Sequence, residues 1–566
     1  MSNLKLKPFY LSDEDIKWVE DTLSGMSQDE KIAQLFCLIA YNSEQDFLLN
    51  LAKNVQPGGV MCRPMPAEDT RLSIETLQKN SKIPMLIAAN LERGGNGVMQ
   101  EGTSLGSPLA VAATNDYEMA TKLGTVCGRE GSAIGVNWSF APIIDIDYNF
   151  RNPITNVRTF GSNPELVTHM GVNYVKSVQN EGVAASIKHF PGDGVDERDQ
   201  HLVTSINSLS CEDWDATFGE AYKACIDAGA LTVMIGHIMQ PAYSRKLTPG
   251  IKDEDIMPAS LAPELTTTLL KEKLGFNGLV VTDATTMAGM TIPMARERAV
   301  PLTIAAGCDM FLFTKNMEED FSYMKKGIED GIITQERLHD ALTKILALKA
   351  ALKLHKKQVD GTYLPNLDKA FQYKDEHKKW AAECADKAIT LVKEEEGVLP
   401  ITPSKYKRVL LYPIESEAGF AYSVRVGAVD LFKEALIKEG FNVDVFEPIQ
   451  GFEGMMTPVK SMTDNYDLML YIANMGTRSN QTSIRIEWQL PMGANVPAFM
   501  ETIPTIFVSV ENPYHLLDVP RVKTFINTYA STDVMLDSLM DKLTGRSTFK
   551  GTSPVDAFCG MWDTRL

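Results

Sequence analysis

Sixteen residues, Ser186 to His201 (SIKHFPGDGVDERDQH), gather one lysine, two histidines, four acids and two glycines behind the apolar run GVAA. Asp199 and His201 stand two apart, a spacing that puts both side chains on one side of an extended segment. An aspartate bonded to one imidazole nitrogen fixes the tautomer and raises the basicity of the other nitrogen. The pair therefore reads as an orienter and a group that gives or takes a proton near neutral pH. Pro191, Gly192 and Gly194 force turns, so the segment is expected to swing out as a mobile loop and fold back over the site it serves. Asp283 closes another apolar run, GLVVTDA. A half-desolvated carboxylate held by a strand suits a nucleophile. The same TDAT stretch suits a helix cap, and taken alone Asp283 reads more readily that way.

The elements that must position these groups are visible as short apolar runs alternating with helical periodicity, the pattern of βα units around a parallel sheet. Eight runs precede Lys315: IAQLFCLIA, GGVMC, PMLIAAN, WSFAPIIDID, VAASIKHF, ALTVMIGHI, GLVVTDA and CDMFLF. Polar residues mark their carboxyl ends: Asn90 and Glu92, Asp145 and Asp147, Lys188 and His189, His237, and Asp283. Barrel enzymes carry their chemistry at that rim. One such residue can simply mark where a strand stops; five positions together point to a loaded rim. A charged helical connector follows, and beyond Pro403 a second α/β pattern begins with RVLLYPI, NVDVFEP, DLMLYIA and TIFVSVE. The expected fold class is α/β, an N-terminal (β/α)8 TIM-like barrel followed by a smaller α/β/α sandwich domain. The expected boundaries are 1–385 for the barrel, 386–402 for a linker and 403–566 for the sandwich. No GxGxxG follows a strand and no Walker lysine is present, so no nucleotide site is inferred.

The totals agree with a two-domain enzyme, since 566 residues exceed what one core serves. An excess of 73 acidic over 55 basic residues, a formal charge of −18, argues against nucleic acid and anionic membrane as partners and for an uncharged substrate. The eight cysteines are scattered with no CxxC pair, as expected of buried free thiols in a reducing compartment. The amino terminus has no apolar signal core and nowhere do eighteen apolar residues run together, so a cytoplasmic location is expected. Oligomeric state stays open.

The motifs IKHFPGDG with DQH, VVTDATTMAG, VNWSFAPIIDID, RTFGSNP and ITLVKEEEGVLPI together resemble glycoside hydrolase family 3, specifically its β-N-acetylglucosaminidase branch. The resemblance covers nearly the whole chain and implies an exo-acting, retaining enzyme that cleaves β-linked sugars from non-reducing ends, with no cofactor and no metal. It implies that Asp283 is the nucleophile and that His201, supported by Asp199, is the acid/base. It also implies that Lys188, His189, Arg158 and Asp145 line the sugar subsite. A histidine base is neutral when the acceptor arrives, whereas a carboxylate would repel an anion about 5 Å away by roughly 3 kcal/mol at an effective dielectric near 20. Inorganic phosphate is therefore expected to serve as acceptor at least as readily as water. The chain departs from the branch in AANLERGGNGVMQ, where Asn90 replaces an expected aspartate and Arg93 separates Glu92 from the glycines, and at Asp193, where histidine is common. Asn90 and Glu92 are expected to hold the sugar's outer hydroxyls and Met287 to line the site, with glucose and N-acetylglucosamine both open as the sugar.

Rival readings are a strict β-N-acetylglucosaminidase that uses water only, a barrel lyase with Lys188 as Schiff-base nucleophile, a metal-dependent hydrolase using His189, His201, His237 and Asp283, and a noncatalytic sugar-binding relative. Arg478 and Arg485, in the polar stretch NMGTRSNQTSIRIEW, read as a solvated loop or as ligands for aglycone or phosphate.

Overall fold

Each of the eight runs supplies one strand: β1 (Phe36–Ala40), β2 (Gly59–Cys62), β3 (Leu86–Ala89), β4 (Trp138–Ser139), β5 (Ala184–Phe190), β6 (Thr232–Ile235), β7 (Leu279–Ala284) and β8 (Met310–Leu312). They pair in parallel, in the order β1-β8-β7-β6-β5-β4-β3-β2, and close into a barrel. Strands covered on both faces need no polar alternation, and every residue of β2, β3, β5 and β6 is buried. Strand β4 is much shorter than its run, because Pro142 brings no N–H to extend a ladder; a single bridge from Ile143 to Lys188 resumes the pairing. This computed structural model describes residues 3–415, 427–449, 452–477 and 479–566.

The chain divides into two compact units: Met1–Ser104, Ala120–Asn149 and Pro164–His377, which contain the barrel, and Leu105–Met119, Phe150–Asn163 and Lys378–Leu566. Two excursions inside the span expected for the barrel thus belong to the second unit. Their apolar residues explain this, since Leu109, Ala110, Ala113 and Val157 share a core with Val409, Leu470, Ile506 and Ile526. The second unit is built on a six-stranded sheet of β9 (Thr390–Lys393), β10 (Arg408–Glu415), β11 (Asn442–Val445), β12 (Leu468–Asn474), β13 (Thr505–Ser509) and β14 (Thr524–Asn527). Its order is β9-β14-β13-β12-β10-β11, parallel except for the antiparallel β9–β14 pair. Leu411, Leu470, Ile472 and Val508 face one core, while Tyr412, Met469, Tyr471 and Phe507 face the other, the two-sided alternation of a sandwich layer. Residues 390–393, expected within a linker, form an edge strand instead.

Among the described residues no helix is long and apolar enough to cross a membrane. All eight cysteines are buried thiols.

Candidate active site

Four adjacent strands, β4 to β7, bring the acidic and basic residues of the rim together. Asp145, just past β4, is fully buried, and its Oδ1 accepts the backbone N–H of His189 at 3.0 Å and of Asp193 at 2.7 Å. Its Oδ2 meets His189 Nδ1 at 2.6 Å. The carboxylate thus assigns the ring proton to Nδ1 and leaves Nε2 facing Asp283 Oδ2 at 3.8 Å. Beside it Lys188 Nζ donates to Glu92 Oε1 at 2.7 Å, with only 3% and 6% of the side chains exposed. This buried pair joins β5 to the turn after β3.

Asp283 is the penultimate residue of β7, and its Oδ1 accepts the N–H of Ala284 at 2.7 Å. Burial pushes its carboxyl up, but His189, His237 and His201, with the Ala284 amide, outweigh burial and hold the pKa below the ordinary 3.8. The group is therefore an ionised carboxylate at neutral pH. It caps no helix, because the next one, Ala288–Thr291, begins after Met287.

The loop carrying the Asp–His pair departs from the extended backbone expected of it and folds back over the rim as expected. The segment is turned, with Leu202 and Val203 N–H both bonded to Asp199 O. One carboxylate oxygen, Asp199 Oδ1, accepts the His201 backbone N–H at 2.8 Å and meets His201 Nδ1 at 2.7 Å. This is the i, i+2 side-chain bond that aspartate makes in tight turns, so the pairing comes from a local turn where an extended strand was expected. The loop is docked on the residues that follow Asp283. Ala288 N–H donates to His201 O at 3.1 Å and Gly289 N–H to Gln200 O at 3.0 Å, while Thr204 Oγ1 donates to Gly289 O at 2.8 Å. The base of the loop is equally tied. Gly192, at φ +119, lies so close to Phe218 that a Cβ would sit 2.2 Å from its ring, and Trp214 Nε1 donates to Pro191 O at 2.7 Å. Asp199 is buried, whereas 27% of the His201 side chain stays exposed.

The remaining expected residues take these places. Asn90 directly follows β3 and is half-buried, Asp147 is buried near Asp145, and Met287 is buried on the turn after β7, its N–H bonded to Ala284 O. Arg158 is buried in the 3-10 turn Asn156–Arg158, which falls in the second unit. In that unit Arg485 Nε donates to Asp518, and Arg478 lies outside the described residues. His237, read from sequence only as a rim residue or a metal ligand, uses both ring nitrogens. Nδ1 accepts from Ser260 Oγ at 2.9 Å and Nε2 donates to Ala284 O at 3.0 Å. Burial lowers its pKa below 6.5, outweighing the charge of Asp283, which raises it. A neutral imidazole thus braces the strand end that carries Asp283. Among the described residues no three His, Cys, Asp or Glu side chains are grouped to hold a metal ion. Sequence alone gave no sign of Ser260 or Gln200, whose partners lie 23 and 37 residues away.

An ionised carboxylate at a strand end, a histidine oriented by a buried aspartate, and a buried Lys–Glu pair are groups with the chemistry to attack an electrophilic carbon and to transfer a proton to a leaving group. Residues 27–348 match the family model described as the glycosyl hydrolase family 3 N terminal domain. A β-N-acetylglucosaminidase/β-glucosidase of Cellulomonas fimi is 54% identical over 568 residues, covering 100% of both chains. A solved structure of the β-glucoside phosphorylase BglX bound to 2FGlc superposes with a TM-score of 0.93 at 46% identity, covering 99% of each chain. A family 3 β-N-acetylglucosaminidase from Paenibacillus sp. str. FPU-7 shares the fold, with a TM-score of 0.76 at 23% identity over 95% of this chain and all of that one.

Proposed function

The chain belongs to glycosyl hydrolase family 3, and from that premise we propose that it is a retaining, exo-acting β-glycosidase. In this reading it releases β-linked glucose or N-acetylglucosamine from non-reducing ends and passes the sugar to phosphate at least as readily as to water. The observation that carries the reading is the docking of the Asp199–His201 turn onto the residues following Asp283. Asp283 attacks the anomeric carbon, forming an ester bond as the glycosidic C–O bond breaks. The departing oxygen takes the proton of His201 Nε2, whose ring is held through Nδ1 by Asp199. In the second half-reaction the now neutral Nε2 accepts a proton from the incoming acceptor, which displaces Asp283 from the anomeric carbon. In this reading the Lys188–Glu92 pair and His189 bind sugar hydroxyls, which is supported by their being charged or polar, buried and fixed by other groups.

Phosphate as acceptor is supported by the chemistry of the base. Imidazole adds no negative charge where an anion must arrive, and a relative 46% identical is named a phosphorylase. Product analysis with and without phosphate tests the reading: sugar 1-phosphate that increases with phosphate is expected. Strictly phosphate-independent release of free sugar would return the reading to a water-using glycosidase.

A further inference from the structure

We infer that Gln200, the residue between Asp199 and His201, is the positioning residue that latches the acid/base loop onto the barrel. The inference rests on the proposed roles of His201 and Asp283. Gln200 is fully buried although it sits in a surface-forming loop beside Arg198, whose side chain is 50% exposed. Its Oε1 accepts the backbone N–H of His237, just beyond β6, at 2.8 Å. Its Nε2 reaches Asp193 Oδ2, in the first half of the same loop, at 3.4 Å. Its own carbonyl accepts the Gly289 N–H at 3.0 Å. One residue therefore touches three places: the end of β6, the outgoing limb of its loop, and the short helix after the Asp283 strand.

The chemistry of the side chain explains the choice. The His237 N–H donates and the Asp193 carboxylate accepts; a primary amide meets both at fixed geometry. A carboxylate at 200 would satisfy only His237 and would face a second carboxylate, and an alanine would satisfy neither. Asp193 is itself fixed, since its N–H donates to Asp145 Oδ1 at 2.7 Å and its Oδ1 accepts from Gly194 N–H at 2.7 Å. The latch therefore runs without a gap from the buried Asp145 that orients His189 to the backbone flanking His201. It fixes the backbone on either side of His201 before any sugar arrives.

The test separates positioning from general stability. An alkyl glycoside needs its leaving oxygen protonated, whereas a 2,4-dinitrophenyl glycoside does not. With Gln200→Ala, kcat/KM for the alkyl substrate is expected to fall at least about tenfold and that for the dinitrophenyl substrate by less than about threefold. Trypsin cleavage after Arg198, which reports the loop directly, is expected to quicken several-fold. Gln200→Glu should reproduce both effects. Adding Asp193→Asn to Gln200→Glu, which exchanges donor and acceptor across the pair, should bring both readouts back to within about threefold of the parent. The double exchange also serves if the alanine variant fails to fold. Equal losses on both substrates with unchanged cleavage at Arg198 would overturn the latch, as would failure of the exchanged pair to recover. The trypsin readout needs no substrate, so absence of glycoside cleavage in the parent would defeat the functional reading and leave the latch still decided.

Discussion

The preference for phosphate turns on where negative charge stands when the acceptor arrives, and the structure puts a magnitude on it. Asp199 lies behind the imidazole, 2.7 Å from Nδ1, which places its charge about 7 Å from an acceptor hydrogen-bonded to Nε2. At an effective dielectric near 20, that carboxylate repels a unit negative charge by roughly 2.4 kcal/mol, whereas a carboxylate base in direct contact, about 4 Å away, repels it by roughly 4 kcal/mol. The difference, about 1.7 kcal/mol per unit charge, is worth roughly twentyfold in rate. It is smaller than the 3 kcal/mol expected when Asp199 is ignored. The decisive protein is the double variant Asp199→Asn, His201→Glu, which moves the single carboxylate from behind the ring to the position of the base without setting two acids side by side. His201 is partly exposed, so a longer acidic side chain has room. The assay is the ratio of sugar 1-phosphate to free sugar at fixed phosphate, followed with one activated substrate. The ratio should fall about twentyfold relative to the parent while hydrolysis persists. An unchanged ratio would refute the electrostatic reasoning even if the parent proves to be a phosphorylase.

Four further outcomes are expected. A 2-deoxy-2-fluoro glycoside should label the peptide containing Asp283, and Asp283→Asn should lose more than about a thousandfold in kcat; a label on another residue would displace the nucleophile. Because Asp283 stays ionised below the usual carboxylate range, its protonation should not shape the kcat/KM profile between pH 5 and 8. Lys188→Met removes the ammonium beside buried Glu92 and should destabilise the barrel by about 3 kcal/mol, with Glu92→Gln in the same chain recovering most of it by calorimetry. In the second unit, burial pushes the pKa of His515 down to about 3 from an ordinary 6.5. The unfolded chain therefore binds a proton that the folded one refuses between those values. Stability from this group is whole above pH 6.5 and is lost as pH falls, by roughly 3 kcal/mol at pH 4. Melting curves should show that slope and His515→Gln should flatten it; parallel curves for the two proteins would contradict it.

The barrel strands could be read from the chain because burial on both faces leaves their runs uninterrupted, as in GGVMC and VAASIKHF. Strands β9 and β14 could not, since β9 follows directly on a charged helix with only Thr390 buried, and β14 has polar residues, Thr524 and Asn527, at both ends. The excursions at 105–119 and 150–163 lie between barrel strands in sequence, and only the packing of Leu109 and Val157 assigns them elsewhere. At the site, residue types pointed to the Asp199–His201 pair because its bond is local. The backbone that makes it, a turn, was misread as extended, since i, i+2 spacing fits both. The loop folds back over the rim as its turns imply. Pro191, Gly192 and Gly194 bend the chain, and bonds to His237 and Gly289 receive it, partners too distant in sequence to be read from it.

The division of the chain into interleaved segments bears on how it is made. When Leu109, Ala110, Ala113 and Val157 leave the ribosome, the residues they pack against, such as Val409 and Ile506, are still untranslated. The wait covers about 250 residues or more, on the order of ten seconds or longer at ordinary elongation rates. During it the nascent barrel displays two greasy flaps with nothing to cover them, a natural target for chaperones. Cutting the gene near codon 378 would make that transient condition permanent, so the amino-terminal fragment should aggregate when produced alone.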